Sequence, residues 1–165
     1  MIDTLSPKRR SYVMNRITGK DTKPELIVRT LLHRAGYRFK VNDKTLPGRP
    51  DIVLPKYGTV IFVHGCFWHR HKNCKQASDP KTNRTFWREK FANNQRKDTR
   101  AKRQLNARGW RYLTIWECQV IKNPQAVLSR IINKLENTRN TRYELPDERR
   151  EILKAAEKRW RYLKG

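Results

Sequence analysis

Acidic residues are scarce in this sequence: 15 Asp and Glu stand against 39 Lys and Arg, a formal net charge of +24 with a pI near 10.7. That shortage excludes a charge-balanced surface, because like charges repel in the compact state unless a polyanion answers them. Nucleic acid is the partner that fits best. Long apolar runs are also missing. No stretch approaches the roughly 20 residues of a membrane-spanning helix, and the N-terminus lacks the charged-then-apolar pattern of a signal peptide. A soluble, intracellular protein is expected. Cysteine is rare and odd in number, at 66, 74 and 118, which argues against a disulfide framework and leaves metal binding or free thiols. There is no internal repeat and no low-complexity tract.

What is present suits one α/β domain with tails. A mean hydropathy of −0.96 reflects the basic surface, while 36% hydrophobic residues with five Trp are enough for a core. Residues 1–22 read as a basic arm (Lys8, Arg9, Arg10, Arg16, Lys20) punctuated by Tyr12, Met14 and Ile17. The main domain is expected over 23–136. Its first helix runs from Pro24 to Ala35, with Thr22 as N-cap and Gly36 as the stop. Extended segments follow at Tyr37–Val41, Asp51–Leu54, Thr59–Val63 and Trp110–Glu117, the third almost wholly apolar and β-branched as a buried strand requires. Helices are expected over Phe86–Arg108 and, capped by Asn123, over Pro124–Glu136. This order predicts a mixed central sheet flanked by helices. Residues 137–165 read as a basic helical extension, with Ile152, Leu153, Ala156, Trp160 and Leu163 at helical spacing. The charge run Arg96, Lys97, Arg100, Lys102 and Arg103 suits a solvated face and a phosphate track equally.

The segment 65–85 has no periodicity and holds most of the His and Cys. Cys66, His71 and Cys74 form Cys-x₄-His-x₂-Cys, and tetrahedral zinc needs a fourth ligand, for which Cys118 is the remaining thiol. A closed Cys₃His site leaves no position for water, so such a zinc is structural. His64 directly follows the buried strand and His69 lies between zinc ligands.

Asp51 precedes an apolar strand, where a carboxylate can hold Mg²⁺ against a phosphate. Two-strand nucleases usually carry Glu/Asp-x-Lys on the next strand; here that strand ends Phe62-Val63-His64 and the pair is missing. The runs Leu46-Pro-Gly-Arg-Pro-Asp51, Val60-Ile-Phe-Val-His64-Gly-Cys-Phe-Trp-His69 and Trp116-Glu-Cys118, with Met14, Asp21-Thr22, Glu25 and Arg84-Thr-x-Phe-Trp87, resemble the very-short-patch repair endonuclease family (Vsr). That family also lacks the Glu-x-Lys. The resemblance spans roughly Arg10 to Cys118.

The resemblance implies a restriction-endonuclease-like core that nicks DNA beside a T:G mismatch to start repair of deaminated 5-methylcytosine. Asp51 and the main-chain carbonyl of Val63 would bind catalytic Mg²⁺, His69 would be the general base, and His64 and Glu25 would support the metal–water network. Phe67, Trp68 and Trp87 would insert between base pairs, and Met14 would probe the opposite groove. A monomer is expected, since a mismatch has no two-fold symmetry. It further implies a cytoplasmic, nucleoid-associated location, and links to mismatch-repair proteins such as MutL and to a cytosine-5 methyltransferase. Val63 departs from the family's Thr and Arg70 from a common His, and Asn73 adds a residue before the third zinc ligand. Two other readings explain the charge: a zinc-structured nucleic-acid-binding protein without catalysis, and a nuclease of the same fold with another target.

Overall fold

Among the described residues, four short strands make one sheet in the order β1 (Lys40–Val41), β2 (Ile52–Leu54), β3 (Thr59–His64), β4 (Arg111–Trp116). The computed structural model describes residues 8, 9, 12 and 19–137. Most of the expected basic arm, Met14 within it, and the C-terminal extension beyond 137 lie outside the described residues. β1–β2 and β2–β3 pair antiparallel, the second through Ile52↔Ile61, while β3–β4 pair parallel with His64 opposite Trp116. The sheet is therefore mixed, as expected.

Alternation along the strands divides the core in two. Ile52, Leu54, Ile61, Val63 and Ile115 face a cluster completed by Val28 and Leu32 of helix α1 (Lys23–Arg34), Val120 of α3 (Glu117–Lys122), and Val127, Leu128, Ile131, Ile132 and Leu135 of α4 (Pro124–Glu136). Val53, Val60 and Phe62 face the other way, against Leu105 of the 24-residue helix α2 (Arg84–Ala107). β3 is buried along its whole length, which is why its sequence has no polar alternation.

α1 and α2 end alike: Tyr37 N–H donates to Leu32 O and Trp110 N–H to Leu105 O, five residues back, just after Gly36 and Gly109. Gly48 has a different task. Its φ is +77°, and a Cβ there would sit 2.7 Å from Ala101 Cβ, so a side chain would push α2 off the sheet.

Four expectations need correction. The strand over Tyr37–Val41 shrinks to Lys40–Val41, because Tyr37 is spent closing α1 and buries its ring against Tyr57. β4 stops at Trp116, and Glu117 opens α3, so Cys118 lies on a helix rather than at a strand end. α2 begins at Arg84, two residues early. Thr22 occupies the N-cap position of α1 without a side-chain cap; its hydroxyl donates instead to Glu25 Oε1 at 2.7 Å. Asn123 does cap α4, accepting from Ala126 N–H at 3.0 Å. Among the described residues no helix is long and apolar enough to cross a membrane.

Candidate active site

Parity carries two of the expected site residues to the α2 side of the sheet. His64 continues the alternation Val60, Phe62, and Asp51, just ahead of β2, continues that of Val53. They meet in a cleft of about 940 Å³ between the sheet and α2, lined also by Glu25, Val63, Trp68, His69, Asp98 and Glu117. Asp51 Oδ2 accepts the Val63 N–H at 2.7 Å. Burial pushes this carboxyl up to about 6, with the charge of Glu25 adding to the rise and the Val63 N–H and Arg29 opposing it. An anion held there against its own solvation suits a cation. Glu25 is itself buried at 3% exposure, and accepts from Thr22 Oγ1, Asp21 N–H and Arg29.

His69 Nδ1 lies 2.6 Å from Asp98 Oδ2. Burial pushes Asp98 up, but the hydrogen bond and charge of His69, with His64 and Lys102, outweigh it and hold the carboxyl below its ordinary value. An ionised Asp98 accepts the Nδ1 proton, which leaves His69 Nε2 as an acceptor. His64 stacks on His69 with ring centroids 3.7 Å apart and planes 15° from parallel. Burial, then the neighbouring His69, lowers His64 to about 3, so it stays neutral across the working pH range. His64, His69 and Asp98 offer donor atoms close enough for a metal. The stacking argues against one. An ion in the plane of either imidazole, where its lone pair points, would lie well out of the plane of the other. We read the trio as a hydrogen-bonded dyad with a neutral ring packed on it.

Sequence reasoning missed Asp98, although a signal existed. It is the lone acid amid Arg96, Lys97, Arg100, Lys102 and Arg103, and it falls one helical repeat (i+7) from buried Phe91 and three residues before buried Ala101.

The four expected soft ligands come together. Cys66, His71, Cys74 and Cys118 hold their donor atoms within 4.8 Å of one another. His71 Nδ1 lies 3.6 Å from Cys66 Sγ and 3.3 Å from Cys118 Sγ. Donors around a tetrahedral ion with bonds of about 2.0–2.3 Å stand ~3.3–3.8 Å apart, so the set fits a metal. Burial pushes the Cys66 thiol up to about 12, and a cation is what would hold thiolates side by side there. Arg70 and Asn73 take left-handed backbone, with φ of 55° and 56°. Arg70 is held in it by bonds to Ala77 O (2.8 Å), Ser78 O (3.1 Å) and Asp79 (2.6 Å), with its guanidinium over the Phe91 ring.

Phe67 and Trp68, which the resemblance assigns to insertion between base pairs, pack here against α2. Phe67 lies 5.1 Å from Phe91 and 5.2 Å from Trp87, and Trp68 lies 5.8 Å from Trp87. The soft cluster ties the loop to the start of α3 through Cys118, and the rings meet where the loop lies on α2. Trp68 lines the cleft, with Phe67 behind it. α2 also turns Lys90, Lys97, Arg100 and Lys102 to the cleft, whereas Arg96 and Arg103 do not line it. The helix is thus partly a basic wall and partly a solvated face.

A buried carboxylate, a His–Asp dyad and a basic wall suit hydrolysis of a polyanionic ester. The family model for DNA mismatch endonuclease Vsr matches residues 2–76. The chain is 47% identical over 120 residues to the type II nicking enzyme V.XorIIP of Xanthomonas oryzae pv. oryzae, covering 73% of this chain and 88% of that one. It is 42% identical over 135 residues to V.NmeAIP of Neisseria meningitidis, covering 82% and 94%. Over 118 residues it is 43% identical to the DNA mismatch endonuclease Vsr of Escherichia coli, covering 72% and 75%. The chain belongs to the Vsr family of DNA mismatch and nicking endonucleases.

Proposed function

We propose that this endonuclease nicks one strand of duplex DNA beside a T:G mismatch in a Mg²⁺-dependent reaction, starting very-short-patch repair of deaminated 5-methylcytosine. The observation that carries the reading is the convergence of Asp51, the His69–Asp98 dyad and Trp68 on one cleft. Asp51 and the main-chain carbonyl of Val63 are hard oxygen donors that would hold the ion, which supplies charge neutralisation at the phosphate. Asp98 fixes the His69 tautomer, and His69 Nε2 takes the proton from the water that attacks phosphorus. His64, buried and neutral, keeps the His69 ring in its plane of approach. Glu25 adds a second carboxylate beside Asp51. Trp68, with Phe67 and Trp87 behind it, enters the base stack at the step that a mismatch makes easiest to open.

The fold is read as a restriction-endonuclease-like core, and the Cys66, His71, Cys74, Cys118 set as a structural zinc site. Zinc suits three sulfurs and a nitrogen, as Mg²⁺ suits oxygens. A monomeric, nucleoid-associated state, a partner cytosine-5 methyltransferase and contact with mismatch-repair proteins such as MutL belong to the same reading and rest on the resemblance alone.

The test is nicking of one duplex made in T:G, G:C and T:A versions, with Mg²⁺ supplied, withheld and restored. Cleavage is expected on one strand of the T:G duplex, only with Mg²⁺. Equal cutting of all three would overturn the mismatch specificity, and salt-sensitive binding with no cutting would make the protein a binding module.

A further inference from the structure

Arg29 stands one turn after Glu25 on α1, and its side chain is only 11% exposed. A guanidinium is always charged, so burial obliges it to find acceptors. It reaches three segments. Nη2 donates to Glu25 Oε2 at 2.9 Å and approaches the main-chain oxygen of Asp51 at 3.5 Å, and Nη1 donates to Asp21. Nε has no hydrogen-bond partner among the described residues. Glu25 in turn has both oxygens engaged, Oε1 by Thr22 Oγ1 and Oε2 by Asp21 N–H and Arg29.

Stability alone is a weak reason for such a group. A buried ion pair gains little over an apolar pair of the same volume, because desolvation offsets the attraction. The orphaned Nε makes the balance worse. What an apolar pair could not do is hold two like charges, Glu25 and Asp51, side by side in the absence of a metal.

From this geometry we infer that Arg29 is a positioning residue for the cation site, acting through Glu25. It fixes the Glu25 carboxylate beside Asp51 and clips the lead-in of β2 by the Asp51 carbonyl, so the acidic pair is preformed. The inference rests on the reading of Asp51 as the cation anchor.

The experiment is a double-mutant cycle of Arg29→Met and Glu25→Gln in the full-length chain, with Arg29→Lys alongside, read as nicking rate against Mg²⁺ concentration. Arg29→Met should raise the half-saturating Mg²⁺ about 10–100-fold, the range for losing a group that orients metal ligands, with DNA affinity within about twofold. Arg29→Lys should recover part of the shift. The double variant should be no worse than the poorer single one, since both act on one carboxylate. Additive losses, or an unchanged Mg²⁺ curve in Arg29→Met, would overturn the inference. If Arg29→Met fails to fold, the cycle is run with Arg29→Lys and the same two outcomes decide. Asp51→Asn is the control on the underlying reading: a variant that still nicks removes the cation site itself, whereas an inactive one with an additive cycle removes only the role of Arg29.

Discussion

Asp51→Asn should stabilise the protein while abolishing nicking, and the gain should depend on pH. Burial lifts the Asp51 carboxyl from its ordinary 3.8 to about 6, so the folded state binds this proton more tightly than the unfolded chain does. Stability from this group therefore falls as pH rises from about 4 to about 6, and the penalty is complete above 6. At about 1.36 kcal/mol per pH unit it reaches about 3 kcal/mol. Asparagine keeps an oxygen for the Val63 N–H and carries no charge, so it escapes the penalty. For a chain of this size about 3 kcal/mol corresponds to about 6–12 °C in Tm. Melting of both variants should be followed from pH 4.5 to 8 in Mg²⁺-free buffer, without chelators that would strip the cysteine cluster. The difference should be full at pH 8 and cut to about a third, roughly 1 kcal/mol, at pH 4.5. Mg²⁺ should then raise the Tm of the wild type and leave Asp51→Asn unmoved. Parallel Tm curves across the range, or an asparagine variant less stable at pH 8, would refute the reasoning.

The dyad predicts that His69→Ala slows nicking ~10²–10⁴-fold with metal dependence retained; Asp98→Asn should also slow it, and a wild-type rate in Asp98→Asn would detach Asp98 from the chemistry. Metal analysis should find one Zn²⁺ per chain, and Cys118→Ser should lose it together with about 10 °C or more of Tm; well-folded protein without zinc would end that assignment. Trp68→Ala should lose about tenfold or more of the preference for T:G over T:A, since a base stacked on an aromatic ring is worth about 1–3 kcal/mol. An unchanged preference would move the wedge elsewhere. Binding should weaken with salt at a slope of about −0.9 per phosphate contact in log–log form, and Lys97→Ala with Arg100→Ala should flatten it, whereas Arg96→Ala with Arg103→Ala should not.

What could be read from the sequence was what local rules determine. The apolar run Thr59–Val63 marked the buried strand that ends at His64, and ligand spacing drew three members of the soft cluster into one loop. Asn123, followed by Pro124, announced its helix by capping chemistry. The losses were tertiary. Asp98 meets His69 across 29 residues, and only the seating of α2 on Gly48 and the sheet decides which of that helix's charges face the cleft. Thr22 looked like an N-cap because its type and place were right, but buried Glu25 offered its hydroxyl a stronger, charged acceptor. The strand over Tyr37–Val41 failed for a related reason: closing α1 claimed Tyr37 before any ladder could.

The soft cluster and the cleft are two donor sets threaded on one short piece of chain, and the threading explains why both are present. Cys66 comes two residues after His64, and His69 lies between Cys66 and His71. Glu117, which lines the cleft, is next to Cys118 and accepts the Cys66 N–H at 3.4 Å. The loop carrying His69 has almost no core of its own, with Cys66 as its one fully buried side chain. On the cleft side the loop is held by the His69–Asp98 bond and by Phe67 and Trp68 against α2; the soft cluster adds a tie to Cys118 at the start of α3. Four ligands closed around one ion would hold the loop without occupying the cleft, since none of the four lines it. Because thiolate and imidazole donors disfavour Mg²⁺ while paired carboxylates favour it, a zinc in the soft cluster and a Mg²⁺ at Asp51, as proposed, would not compete, although their ligands are neighbours in sequence.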